Sequence, residues 1–199
     1  MIIHRIWIWS VYCYFYHQNC SLIEIAFYQF IDKRSTCTNL LACFNDWTLA
    51  LQDHCGVNVV YIDFAKAFDS VSYVKLIHRL KSYGIGDPLL QWIQNFLFDR
   101  SRCTRVGNVL SDFIYLISGV VQGSGLGLLL FVLYINELAE ILRTYGITVR
   151  LFADDLKMYA KILNPVDAEV LQMAVDRLDD WAESWQMKIS ITKCNYDNW

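Results

Sequence analysis

At 199 residues, 55% of them hydrophobic, the chain has the length of one domain and the means to bury a sizeable core. A formal charge of −3 argues against binding nucleic acid through overall basicity, but residues 66–105 carry seven Lys or Arg against three Asp, a section suited to a phosphate backbone or to a solvated helix face. Seven cysteines, an odd number with no C-x-x-C pair, read as free thiols of a reducing compartment.

Residues 1–16 are dense in Ile, Trp, Tyr and Phe. They are too short for a membrane span and lack a small-residue cleavage site, so they read as an extension, with an amphipathic anchor as the alternative. Over residues 38–52, Leu40, Leu41, Phe44, Trp47, Leu49 and Leu51 recur at mostly helical spacing, with Ser35 or Thr36 as cap. Residues 57–63 form a β-branched run ending in Asp63, a buried strand with a carboxylate at its end. Ser72 is placed to cap a helix over 73–83 that Gly84 ends, and Asp87-Pro88 opens another reaching Phe98.

Two strands, 103–106 and 113–117, then flank a Gly107-Asn108 turn. Residues 119–127 hold four glycines and feed a long apolar helix over 128–145. Residues 149–162 read as a hairpin with Asp154 and Asp155 at its bend. Asn164-Pro165 with Asp167 starts a helix whose Leu171, Ala174, Leu178, Trp181 and Trp185 share one face, the Trp rings as core. A last strand over 187–191 leads to Lys193.

An isolated Asp-Asp pair is most often a solvated turn. A strand that delivers Asp63 beside a hairpin that delivers Asp154 and Asp155 is different, because gathered carboxylates repel unless a cation joins them. Hard divalent ions take such oxygen ligands, and two of them roughly 3.5–4 Å apart run phosphoryl or nucleotidyl transfer. Glycines at 119 and 123 would let backbone approach a sugar and phosphate, and a helix start offers N–H groups to anionic oxygen.

The segments Tyr61-Ile62-Asp63-Phe64-Ala65-Lys66-Ala67-Phe68-Asp69, Ser118-Gly119-Val120-Val121-Gln122-Gly123-Ser124 and Phe152-Ala153-Asp154-Asp155 resemble, in order and separation, the palm motifs of reverse transcriptases from non-LTR (LINE-type) retrotransposons. Weaker likenesses lie at Lys33-Arg34-Ser35-Thr36, at Leu129-Leu130-Phe131 through Ile135-Asn136-Glu137, and from Trp181 to Lys193-Cys194. The resemblance implies an α+β fold, a palm-type antiparallel sheet with helices packed on one face, incomplete fingers and no thumb. Residues 28–195 are expected as the partial palm domain, 1–27 as a non-family extension and 196–199 as a tail.

It also implies an RNA-directed DNA polymerase that adds dNTPs to a primer 3′-hydroxyl on an RNA template, with two Mg²⁺ ions, Mn²⁺ being an alternative. Asp63, Asp154 and Asp155 would be catalytic metal ligands. Phe64, Ala67, Phe68, Gln122 and Gly123 would meet the nucleotide, Phe68 by excluding a 2′-hydroxyl, and Lys193 is a candidate proton donor. The chain departs from the family at Val121 and Leu128, where prolines are usual, and at Gly125, where a β-branched residue is common. These departures bear on activity more than on fold. An RNA template, a DNA primer and an intracellular site are the expected setting, without stable membrane insertion. The alternatives are a catalytically dead remnant that binds nucleic acid or serves as an interaction module, and a membrane-associated protein held by residues 1–16.

Overall fold

A computed structural model describes residues 35–199. The extension expected over 1–27 and the likeness at Lys33-Arg34 lie outside the described residues. Helix α1 (Thr36–Gln52) starts at Ser35, whose hydroxyl accepts from Thr38 N while Thr38 Oγ1 accepts from Ser35 N, a closed capping box. Strand β1 (Gly56–Ile62) follows, then a single turn α2 (Ala67–Ser70) and helices α3 (Tyr73–Ser82) and α4 (Leu89–Leu97). Ser72 takes the N-cap position of α3 without a side-chain bond, and Gly84 turns the chain at φ +81°.

The two strands expected between 103 and 117 are four short ones. β2 (Ser101–Arg102) pairs with β5 (Ile114–Tyr115), and β3 (Arg105–Val106) pairs with β4 (Val109–Leu110) about Gly107 and Asn108. Helix α5 (Gly125–Arg143) begins three residues earlier than its apolar run, because Ser124 Oγ accepts from Gly127 N and so caps it. Strands β6 (Thr148–Phe152) and β7 (Asp155–Ile162) form the expected hairpin.

Helix α6 (Pro165–Ser184) starts as read: Asn164 accepts from Val166 N and Asp167 N, and the Asp167 carboxylate returns bonds to Leu163 N and Asn164 N. Over 187–191 the expected strand is reduced to one bridge, Phe64 to Ile189. A 3₁₀ turn (Ile191–Lys193) intervenes, and β8 (Asn195–Asn198) is the strand that joins the sheet. Residues expected to straddle the palm boundary and the tail are therefore one edge strand.

The antiparallel sheet runs β6-β7-β1-β8. Its register, Val59 opposite Tyr159 and Ile62 opposite Leu156, fixes which side chains share a face. Leu151, Leu156, Met158 and Ile62 point into the main core with α5 and α6. The opposite face carries a smaller cluster, in which Cys43, Trp47 and Ala50 of α1 cover Val57, Val59 and Tyr159. Thus α5 and α6 form the layer the resemblance implies, and α1 adds a second contact on the other side.

The stripe that α1 buries is not the one its apolar residues suggest. Leu40, Leu41, Phe44, Leu49 and Leu51 are exposed, and Asn39, Cys43, Trp47 and Ala50 are buried. Polar bonds decide the orientation. Asn39 Nδ2 donates to Leu151 O across the sheet, and the Asp46 carboxylate accepts from Tyr159 Oη and pairs with Arg150 at 3.0 Å.

Helix α5 is long and apolar enough to cross a membrane by length and composition, but its residues from Leu129 to Asn136 are all buried in the core. Burying a Leu or Phe stabilises by roughly 1.5–3 kcal/mol relative to exposure, and this helix supplies the largest share of such side chains. Arg79 of α3 reaches into the same interior, where it bonds Glu137. Trp181 Nε1 donates to the same carboxylate at 3.3 Å, and the Trp185 ring lies 4.1 Å from the guanidinium. The Glu137 carboxylate and the Trp185 ring offset the cost of burying this charge, although Arg79 Nε is buried without a hydrogen-bond acceptor.

Candidate active site

Asp63 follows Ile62, whose partner across the sheet is Leu156, the neighbour of Asp155. The end of β1 thus lies beside the β6–β7 bend. That bend is a two-residue turn, Ala153-Asp154, between the paired Phe152 and Asp155. Ala153 takes φ +54°, a conformation that favours Gly in primed hairpin turns and costs an L-residue roughly 1–2 kcal/mol. Strain of this kind is held by the eight-residue strand that follows.

The three carboxylates lie in one electrostatic field. The Asp155 carboxyl titrates above its ordinary value, first because burial penalises its charge, then because Asp154 and Asp63 repel that charge. Lys157 opposes the shift. Asp63 is held more closely than the pair. Its carbonyl accepts from Ser190 N at 2.8 Å, and Ala65 N donates to Lys188 O at 2.7 Å, so residues 188–190 run alongside it. That segment delivers Lys193, whose Nζ stands 3.4 Å from Asp63 Oδ2. The contact gives charge attraction only: Oδ2 is shut off from solvent, and no donor completes a hydrogen bond to it.

Among the described residues, no three His, Cys, Asp or Glu are drawn close enough to enclose a metal ion. The donor set nevertheless suits one. A carboxylate oxygen enclosed by protein that receives no hydrogen bond and only a long contact from Lys193, beside two further acids, is what a hard divalent cation satisfies.

The residues expected to meet a nucleotide differ in their exposure. Phe64 is 3% exposed and its ring belongs to the core, so of this residue the backbone is the part left to face the loop side. Ala67 is likewise buried at the start of α2. The Phe68 ring is half-buried and stacks on Phe131 at 4.5 Å and 26°, so it is a fixed wall. Gln122 and Gly123 are exposed on the loop ahead of α5.

The glycines also differ from their reading. At Gly119, φ +89°, a Cβ would lie 2.9 Å from Asp69 Cα and from Asp69 O, so the close approach this glycine permits is to the chain's own backbone, where approach to a sugar and phosphate was the expectation. Gly123, φ +82°, faces open space, and its need is conformational. Gly127, not singled out by the sequence, is the tightest of the three: a Cβ there would stand 2.2 Å from Val121 O. Both departures from proline have local replacements. Val121 O accepts from Ser124 Oγ at 2.7 Å and from Ser124 N at 3.2 Å, which holds the loop by hydrogen bonds, and Leu128 N donates to Ser124 O at 3.4 Å.

Sequence reading also passed over the groups that pin this loop to the turn after β1. Ser118 Oγ donates to Asp69 O, Gly119 N to Val71 O, and Val120 N to Phe68 O, each at 2.8 Å. Tyr73 and Arg100 complete the set. A basic residue three positions past a helical carbonyl is a C-terminal capping signal, and Arg100 beyond α4 was legible as that much.

The reverse transcriptase (RNA-dependent DNA polymerase) family matches residues 12–197. The chain belongs to the reverse transcriptase family. Among curated relatives, the RNA-directed DNA polymerase from mobile element jockey of Drosophila funebris is 27% identical over 140 residues, which is 67% of this chain and 15% of that protein. The Pol polyprotein from the type-1 retrotransposable element R2 of Popillia japonica is 35% identical over 81 residues, 41% of this chain and 13% of that one. The resemblance to non-LTR retrotransposon reverse transcriptases is borne out by the family match and these relatives. This reverse transcriptase chain spans about 15% of the length of the jockey relative.

Telomerase from Candida albicans, solved with a fragment of telomeric RNA, superposes with a TM-score of 0.68 at 9% identity, covering 98% of this chain and 33% of that one. Apo telomerase from Candida tropicalis gives 0.62 at 11% identity over 83% and 35%. At such identity the likeness is one of fold, and it supports the palm-type α+β architecture.

Proposed function

We propose that this chain carries the palm of an RNA-directed DNA polymerase of a non-LTR element, adding dNTPs to a primer 3′-hydroxyl along an RNA template inside the cell. The observation that carries the reading is the register of β1 against β7, which sets Asp63 beside the Asp154-Asp155 bend in a shared field.

In this reading Asp63, Asp154 and Asp155 would hold two Mg²⁺ ions, or Mn²⁺, which would supply electrostatic stabilisation of the transferring phosphoryl group. The remaining work falls to side chains. Phe68, wedged by Phe131, presents a rigid ring to the sugar and excludes a ribonucleotide by bulk. Gln122 and Gly123, exposed on a loop tied at both ends, contact the incoming nucleotide. Lys193, already near Asp63, holds a proton for the departing pyrophosphate. Base pairing with the template supplies sequence choice, so the polar loop residues need read no bases.

A second reading is a nucleic-acid-binding remnant that does not polymerise. It draws on the open arrangement of the three acids and on the Val121 and Leu128 departures. Primer extension on an RNA template with Mg²⁺ separates the two. The polymerase reading expects extension by the wild type that is lost in Asp63→Asn and in Asp154→Asn. Retained binding of the primer–template without extension would overturn it in favour of the remnant.

A further inference from the structure

Arg100 lies outside the motif segments quoted above, yet its Nε and Nη2 are both engaged by the chain. Nε donates to Leu97 O, the last carbonyl of α4, at 2.9 Å. Nη2 reaches Tyr73 Oη at 2.9 Å and Gly119 O at 2.8 Å. Tyr73, buried at the head of α3, donates in turn to Ser118 O at 2.9 Å. Together with Gly119 N on Val71 O and Val120 N on Phe68 O, these bonds satisfy successive backbone groups where the chain enters the loop. Gly119 lies close against Asp69, since a Cβ at this position would stand 2.9 Å from the Asp69 Cα and O.

We propose that Arg100 and Tyr73 are positioning residues that lock the Ser118–Val120 peptides against the Phe68–Val71 turn, and so set nucleotide affinity and sugar choice. The inference rests on the polymerase reading above. Its physical basis is that Val120 N is bonded to Phe68 O, so the loop bearing Gln122 and the ring facing the sugar move as one body. Guanidinium hydrogen bonds to neutral acceptors are worth more than neutral pairs, and a planar fork can serve several acceptors that an ammonium cannot. Arg100→Ala removes the donor to Gly119 O, Tyr73 Oη and Leu97 O together, while Tyr73 Oη keeps its bond to Ser118 O. Tyr73→Phe removes only the hydroxyl and keeps the packed ring.

The test uses the whole chain with two readouts. Amide exchange is followed at Gly119 and Val120, with the β1 and β7 amides as internal reference. Binding of a fluorescent dNTP in Mg²⁺ is measured beside that of the matching ribonucleotide. In Arg100→Ala, exchange at Gly119 and Val120 is expected to accelerate about tenfold while the sheet is unchanged. The dNTP is expected to bind about tenfold more weakly, with the preference over ribonucleotide reduced. Tyr73→Phe should follow in the same direction, and Arg100→Lys should fail to restore either readout.

Unchanged exchange, exchange raised throughout the sheet, or a loosened loop with nucleotide binding intact would each overturn the proposal. A wild type that binds no nucleotide would sink the polymerase reading and this one with it. A wild type and an Arg100→Ala variant that bind equally would sink this one alone.

Discussion

Lys193 Nζ stands 3.4 Å from Asp63 Oδ2, although the two residues come from opposite ends of the domain. The contact arises because residues 188–190 lie along 63–65 and the 3₁₀ turn then swings the lysine back over the carboxylate. Lys193 is 68% exposed, so the pair adds at most about 1 kcal/mol to stability. Lys193→Ala should therefore leave the urea midpoint almost unmoved while slowing single-turnover extension by about 10²-fold or more. Lys193→Arg keeps the charge but releases a proton poorly and should be nearly as slow. A variant that unfolds in step with its loss of rate would mark the lysine as structural.

The glycines offer a graded test of the loop. Gly127→Ala and Gly119→Ala each drive a Cβ into backbone, at 2.2 Å and 2.9 Å, and should destabilise by about 2–3 kcal/mol or more. Gly123→Ala meets nothing within 4 Å and bears only its φ of +82°, for about 1 kcal/mol. Chemical denaturation of the three variants measures the order, and a Gly123 variant as unstable as Gly127→Ala would contradict it.

Glu140 links stability to pH. Burial, then the charge of Glu137, raises its carboxyl above the ordinary 4.5, while Arg79 and a bond from Asn136 oppose the rise. Between the ordinary and the raised value the folded chain binds more protons than the unfolded chain. The contribution is accordingly present in full below the ordinary value and is lost as pH rises through the raised one. Glu140→Gln keeps an acceptor for Asn136 Nδ2 and abolishes the charge. Its melting temperature should match the wild type in acid and exceed it at neutral pH; equal curves at both would contradict the shift.

The sequence made legible those parts of the fold where one local signal dominates. Asn164, Pro165 and Asp167 start α6 as read, and the bend at Asp154 needs only its alternating arms. It misled where apolar residues lie on several sides of a helix. In α1 the buried stripe was chosen by Asn39 and Asp46, whose partners Leu151, Arg150 and Tyr159 lie over a hundred residues away, and no periodicity in Leu and Phe encodes that. The same holds for the site. The approach of Asp63 to the Asp154-Asp155 bend was legible, whereas the burial of the Phe64 ring in the core was not. Gly127 and Arg100 matter through backbone carbonyls that become neighbours only on folding.

Two-metal chemistry in this chain requires Asp63 to serve the same cation as the Asp154-Asp155 pair. Mn²⁺ titration of the wild type, Asp63→Asn and Asp154→Asn, followed by water-proton relaxation, tests this without requiring polymerisation. The expected result is saturable Mn²⁺ binding by the wild type that weakens at least tenfold in each variant. Binding abolished by Asp154→Asn but untouched by Asp63→Asn would contradict it.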